Sequence, residues 1–249
     1  MNDKPKDNFS AQAHLYAIYR PVYPQALYNY LYSHIKEFDN AWDCATGNGQ
    51  VAIELAKCFE NVYATDISQK QLDNASAKDN IHYSLQRAEE TTFADNFFSL
   101  ITVAQALHWF KFDAFNAEAK RVLKPNGVLA VWLYDVLSVN ADVDKYFTHF
   151  YKVTTDPYWD PERAYIDEHY KSIPFPFSDV EEAEFSIDVA WDIKQFEGYL
   201  NTWSGVQKFI DANNYNPVDG LIEEIKPFWS ENEIFTVKFP LYLKLGINK

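Results

Sequence analysis

The segment Ala41-Trp-Asp-Cys-Ala-Thr-Gly-Asn-Gly-Gln-Val-Ala52, with the run Asn61-Val-Tyr-Ala-Thr-Asp66 after it, constrains this chain more than any other stretch. It has the pattern of a strand ending at Asp43, a tight turn with Gly47 and Gly49, a helix, and a second strand closed by Asp66, 23 residues after Asp43. Glycines in such a turn let the backbone pass close under a ligand. The expected product is a nucleoside-binding crevice at the edge of an α/β sheet.

Around this motif the chain alternates. Strand patterns at 40–45, 61–66 and 81–86 are separated by helical patterns at 49–58 and 68–78, a βαβαβ run that implies a parallel sheet with right-handed crossovers. Leu100-Ile-Thr-Val-Ala104 suits a buried fourth strand, residues 113–123 are amphipathic, and Pro125-Asn-Gly127 turns into the strand Val128–Leu133. Upstream, Ser10 suits an N-cap, Pro21 ends the first helix, and a second helix from Pro24 carries an apolar stripe of Leu27, Tyr30, Leu31 and Ile35. Residues 136–180 lack periodicity and hold Pro157, Pro161, Pro174 and Pro176, as expected of an insertion of short helices and loops. Period-two alternation returns at 185–189 and 237–245, with helical patterns near 192–202 and 217–228. Pro240 cannot donate to a ladder, so the last strand is expected to be bulged or partly at an edge.

The chain has 249 residues, enough for one α/β domain with an elaboration, and its divisions are expected at 1–37 (helical lid), 38–135 (ligand-binding core), 136–180 (cap insertion) and 181–249 (strands and helices completing the sheet). A formal net charge of −14 repels phosphate backbones, so DNA, RNA and anionic membranes are not expected partners. The polar N-terminus has no apolar leader, and no window approaches the roughly 18 apolar residues of a membrane helix, which implies a soluble cytoplasmic protein. Cys44 and Cys58, the two cysteines, show no metal-ligand spacing and are expected to be buried free thiols. Aromatic residues make up 17% of the chain and concentrate after Tyr146, which points to an apolar lid or pocket wall.

Gly47-Asn-Gly49-Gln-Val-Ala52 satisfies the relaxed dinucleotide fingerprint and leaves two ligands open, NAD and S-adenosylmethionine. Asp43 discriminates between them, because a carboxylate beside the turn repels a pyrophosphate and attracts the ammonium of S-adenosylmethionine. An NAD-dependent oxidoreductase is therefore the weaker alternative, and a protein that binds S-adenosylmethionine without turnover is a second one.

Asp43-Cys-Ala-Thr-Gly-Asn-Gly49 resembles motif I of the class I S-adenosylmethionine-dependent methyltransferases. The resemblance extends through Asp66-Ile67, Ala88-Glu89, the stretch Ala94–Phe110 and Leu123-Lys-Pro-Asn-Gly127. It implies a Rossmann-like, doubly wound sheet, mostly parallel, of seven strands with an antiparallel C-terminal strand, under a helical N-terminal and insertion cap. The implied cofactor is S-adenosyl-L-methionine. Its ribose hydroxyls would bond to Asp66, its adenine would pack on Ile67, and Ala88 and Glu89 would meet the adenine edge. Asp43, Ala45, Gly47, Gly49 and Gln105 would complete the cofactor site. Ala45 departs from the family glycine, which is tolerable if the backbone there stays extended, and Arg87 replaces an acid. Tyr-x-x-Tyr-Arg-Pro near the N-terminus, His108-Trp109 and Phe239–Leu245 resemble the trans-aconitate methyltransferase-like subgroup, within the methyltransferase type 11 group.

Methyl transfer asks mainly for alignment and water exclusion; a carboxylate acceptor needs no base, whereas a hydroxyl, amine or carbon acid does. His108, at the top of the fourth strand, is the candidate base, with a hydrogen-bonded wall residue as the plain alternative. Tyr16 and Tyr19 are candidates to close over the cofactor or its acceptor, with plain helix packing as the alternative, and Trp109 and Trp203 to shape the acceptor site. Arg20 suits the cofactor carboxylate or an acidic acceptor, the former being favoured. No Asn/Asp-Pro-Pro-aromatic motif follows the fourth strand, where Ala104-Gln-Ala-Leu107 stands, so a small molecule, in one version a carboxylic acid, is the expected acceptor.

Overall fold

The computed structural model describes residues 19–249. Its centre is one seven-stranded sheet of β1 (Asn40–Cys44), β2 (Asn61–Asp66), β3 (Ile81–Leu85), β4 (Phe98–Ala104), β5 (Leu123–Tyr134), β6 (Ser178–Trp191) and β7 (Phe235–Ile247), in the order β3-β2-β1-β4-β5-β7-β6. The first five strands pair in parallel, and β7 runs antiparallel between β5 and β6. This is the mixed, doubly wound sheet that the sequence implies. Strand order reverses at β1, which pairs with β2 on one side and β4 on the other, and the carboxyl ends of those strands open onto a crevice.

Helices α1 (Gln25–Ser33), α2 (Gln50–Leu55), α3 (Gln69–Asp73) and α4 (Phe112–Val122) cover the parallel part. Alternate residues of β5 serve the two faces: Val128, Ala130, Trp132 and Tyr134 join one buried cluster, Leu129, Val131 and Leu133 the other. Such two-sided burial explains the near-continuous apolar runs of β4 and β5. On α1 the stripe is displaced: Tyr28 is buried in place of Tyr30, whose hydroxyl donates to Glu181 Oε2 of β6 at 2.8 Å. Cys44 is buried, but Cys58, beyond the end of α2, is exposed.

Between β5 and β6 lie α5 (Ala141–His149), a π-helical turn at Phe150–Thr154, a 3-10 turn at Asp156–Tyr158 and α6 (Arg163–Asp167). α7 (Ile193–Leu200), α8 (Ser204–Asn213) and α9 (Pro217–Ile225) connect β6 to β7. β6 is the outer strand, and the exposed Glu182, Glu184 and Asp188 on it deter pairing with another chain.

The expectation for Pro240, a strand bulged or partly at an edge, holds on the β5 side of β7, where the ladder stops at Tyr134↔Leu241. β7 is interior, and its register against β6 is unbroken at Ser186↔Pro240. Pro240 escapes the missing N–H because it falls in a gap of the β5 side, between the pairs Tyr134↔Leu241 and Ser138↔Lys238, where its carbonyl accepts from Asp135 N at 2.8 Å.

Candidate active site

The turn after β1 is wound through three left-handed residues, Ala45 (φ 57°), Gly47 (φ 57°) and Gly49 (φ 82°). Ala45 is therefore not extended, and its methyl group is held at a cost of about 1–2 kcal/mol. The turn is pinned to β2 by Thr46 N to Thr65 O (2.9 Å) and by Gly47 N to Asp66 Oδ2 (2.9 Å), while Asp66 Oδ1 accepts from Ser68 N (2.9 Å). Those bonds fix the Asp66 carboxylate at the cavity wall. Nothing lies within 4 Å of a Cβ built on Gly47, whereas one built on Gly49 meets the Tyr83 hydroxyl at 2.2 Å. Gly47 thus keeps the cavity open, and Gly49, which does not line it, keeps α2 close to β3.

Asp43 also lies outside the cavity. It is 1% exposed, and its carboxylate accepts from the hydroxyls of Thr46 and of Thr102 (2.9 Å for Thr102). Burial pushes its pKa up to about 6 against the opposing effect of the two threonines and the Ala52 N–H. A direct contact with a ligand ammonium is replaced by a buried negative charge directly beneath the turn.

The cavity at the crevice measures about 360 Å³. Of the expected site residues it is lined by Arg20, Ala45, Gly47, Asp66, Ile67, Ala88, Glu89, Gln105, His108, Trp109 and Trp203. At one end Ile67 leaves 40% of its surface open. Nearby, Glu89 is turned to its own neighbours, accepting from Lys111 N at 3.0 Å and pairing with Arg87 Nε at 3.4 Å. The Arg87 that replaces an acid is thereby drawn onto Glu89.

At the other end Gln105 (φ 54°) is locked to β5, accepting from Tyr134 N at 2.7 Å and donating to Tyr134 O at 3.2 Å. Arg20 Nη1 donates to the Tyr134 hydroxyl, and its guanidinium carbon lies 5.3 Å from the centre of the Tyr199 ring. Tyr19 does not line the cavity. Its ring occupies the space beside Gly198 of α7, where a Cβ would come within 2.3 Å. Tyr16 lies outside the described residues.

His108, in a 3-10 turn at Leu107–Trp109, is 5% exposed, and its Nδ1 meets the Tyr170 hydroxyl at 2.8 Å. Burial, with Arg163 nearby, lowers its pKa to about 3. Which of the two groups donates in that bond is set by the tautomer of the imidazole. So buried, the imidazole is neutral at neutral pH and one of its ring nitrogens is engaged by Tyr170, the surroundings of the hydrogen-bonded wall residue that is the plain alternative to a base.

Sequence reasoning missed Tyr134, Trp159, Arg163 and Tyr199, all on the cavity wall. Arg163 Nε bonds to the Tyr151 hydroxyl at 2.9 Å and to Asp167 Oδ1 at 3.4 Å, and the guanidinium sits over the rings of Tyr151 (5.2 Å) and Trp159 (5.0 Å). Its two Nη groups have no hydrogen-bond partner among the described residues. Arg163 borders both this cavity and a second one of about 800 Å³. The one signal for it was its place in an aromatic, proline-rich stretch.

An adenosyl sulfonium fits these features: an open apolar side chain at Ile67, close backbone approach at Gly47, an oriented acid at Asp66 and buried negative charge at Asp43. A family model described as a methyltransferase domain matches residues 42–131. A Dictyostelium discoideum protein described as a methyltransferase is 35% identical over 248 residues, covering 96% of this chain and 94% of that one. A solved structure from Anaeromyxobacter dehalogenans, described as a type II methyltransferase, superposes with a TM-score of 0.86 at 31% identity, covering 92% of this chain and 98% of that one. A phosphoethanolamine N-methyltransferase of Haemonchus contortus, solved with S-adenosyl-L-methionine, shares the fold at 18% identity, with a TM-score of 0.50 over 93% of this chain and 56% of that one. The crevice, its charge pattern and the Dictyostelium and Anaeromyxobacter relatives, each matched over more than nine-tenths of both chains, place the chain in the class I S-adenosylmethionine-dependent methyltransferases.

Proposed function

We propose that the methyl acceptor is a small carboxylic acid, bound between Arg163 and the aromatic wall of Trp159, Tyr199 and Trp203. The observation that carries this reading is Arg163: a guanidinium clamped by rings on a cavity wall, with both Nη groups without a protein partner among the described residues. Planar, bidentate donors of this kind suit carboxylates. When bound, S-adenosylmethionine would supply a methyl group on a sulfonium: the acceptor oxygen would form its O–CH3 bond as the S–CH3 bond broke, with the electron pair returning to sulfur.

A carboxylate has no proton to lose, so the site needs no general base. His108 and Arg163 would hold and orient the acceptor, and the aromatic wall would exclude water. Asp66, Ile67 and Gly47 would hold the adenosyl group, with Arg20, supported by Tyr134, at the cofactor carboxylate. Residues 136–180 act in this reading as a cap over the acceptor side. The subgroup resemblance supports the same acceptor class, and the net negative charge of the chain weighs against a nucleic-acid acceptor.

A panel of small organic acids, amines, alcohols and phenols incubated with methyl-labelled S-adenosylmethionine tests the proposal. Alkali-labile methyl esters are expected. Arg163→Leu is expected to raise KM for the acid at least tenfold while the affinity for S-adenosylhomocysteine changes less than twofold. Label appearing only in amines or alcohols overturns the acid, and an unchanged KM in Arg163→Leu overturns the role of Arg163.

A further inference from the structure

Gln71 is the third residue of α3, after the N-cap Ser68, and it is 4% exposed although it borders the cavity. Its side-chain Oε1 is sealed from solvent with no partner, and neither end of its amide makes a hydrogen bond among the described residues. Buried amides without partners are rare because they forfeit solvation, and they persist where a ligand completes them. The other polar groups close by are already engaged. Gln86 Oε1 accepts from Thr92 N (2.8 Å), Gln86 Nε2 donates to Ser84 Oγ (2.9 Å), and Glu89 is held by Lys111 N and Arg87.

We propose that Gln71 reads the ribose of the donor together with Asp66, its amide Nε2–H donating to a ribose oxygen whose hydroxyl proton goes to Asp66. The chemistry is complementary. A ribose hydroxyl brings one donor and two lone pairs; an ionised Asp66 only accepts, so it leaves the lone pairs unmet, and an amide N–H supplies the missing donor. Asp66 Oδ1 accepts from Ser68 N, the residue that caps the helix carrying Gln71, so one short segment positions both groups. The proposal rests on S-adenosylmethionine as the donor.

Calorimetry on the full chain tests it, using S-adenosylhomocysteine and its 2′-deoxy and 3′-deoxy ribose analogues as probes with wild type and Gln71→Met. Methionine keeps the length of the side chain and removes the amide. Wild type is expected to bind S-adenosylhomocysteine at least tenfold more tightly than one of the deoxy analogues. In Gln71→Met, S-adenosylhomocysteine is expected to weaken about tenfold and that analogue less than threefold, while the ligand-free variant melts at or above the wild-type temperature. Equal weakening of all three ligands, or none of any, overturns the proposal. So does a wild type that binds both deoxy analogues within twofold of S-adenosylhomocysteine, whatever the variant does. Failure of wild type to bind S-adenosylhomocysteine at millimolar concentration is a different result and counts against the donor itself.

Discussion

A carboxylate sealed beneath a glycine turn changes protonation on folding in the direction opposite to that of a paired surface acid. Asp43 titrates near pH 6 in the folded chain because of burial, against about 3.9 for an unfolded aspartate. Between those values the folded state holds more protons, so the stabilising contribution is complete below pH 4 and is lost as pH rises through 6. Two pKa units correspond to about 3 kcal/mol. Asp43→Asn removes this slope, and its stability relative to wild type is expected to improve by up to about 3 kcal/mol between pH 4 and pH 7. Urea midpoints measured across that range check it; curves that stay parallel refute it. The residue illustrates how far single positions are legible. Spacing places Asp43 at the end of β1, but the side of the turn its carboxylate occupies is decided by Thr46 and Thr102, and Thr102 comes from a strand 59 residues away. His108 is similar: its position atop β4 was readable, while its tautomer depends on Tyr170 from the cap.

At the scale of elements, the two motif glycines do different work, and substitution separates them. Gly47→Ala incurs the left-handed backbone cost alone, about 1 kcal/mol, but sets a methyl group in the open space on the cavity wall. Gly49→Ala incurs that cost and also displaces the Tyr83 hydroxyl from its 2.8 Å bond to Ser76 O, for a total of about 2–3 kcal/mol. Thermal melts and S-adenosylhomocysteine titrations should show the first variant folded and at least tenfold weaker in binding, the second destabilised by the larger amount. Equal behaviour of the pair would contradict the division. The elements themselves were legible where periodicity is strong, as in β1 to β5 and α4. α8 was missed, and β6 extends well beyond its alternating centre at 185–189, to Ser178–Trp191, because pairing with β7 sustains it. Pro240 was legible in part: a proline forbids a bond only on the side its nitrogen faces, and which strand lies on that side is set by the fold.

For the whole molecule, the net charge of −14 sets a long-range field that opposes the acceptor its own cap is proposed to bind. The opposition is local in neither origin nor reach. Lining charges such as Arg163 act within a few ångströms inside the cavity, where solvent ions penetrate poorly, whereas the summed surface acids act across a Debye length of about 8 Å at physiological salt and about 30 Å at 0.01 M. Added salt therefore weakens the repulsion much more than it weakens the Arg163 contact. For a carboxylic acid acceptor KM is expected to fall about two- to threefold between 10 and 150 mM salt, through faster association. For the cationic donor the same change is expected to raise KM, and for S-adenosylhomocysteine, which lacks the sulfonium charge, the dissociation constant should move less than that of the donor. Steady-state kinetics at several ionic strengths, with an inert salt, distinguish the two fields. A KM for the acid that rises with salt would mean that attraction at Arg163 extends beyond the cavity and that the surface acids do not govern approach.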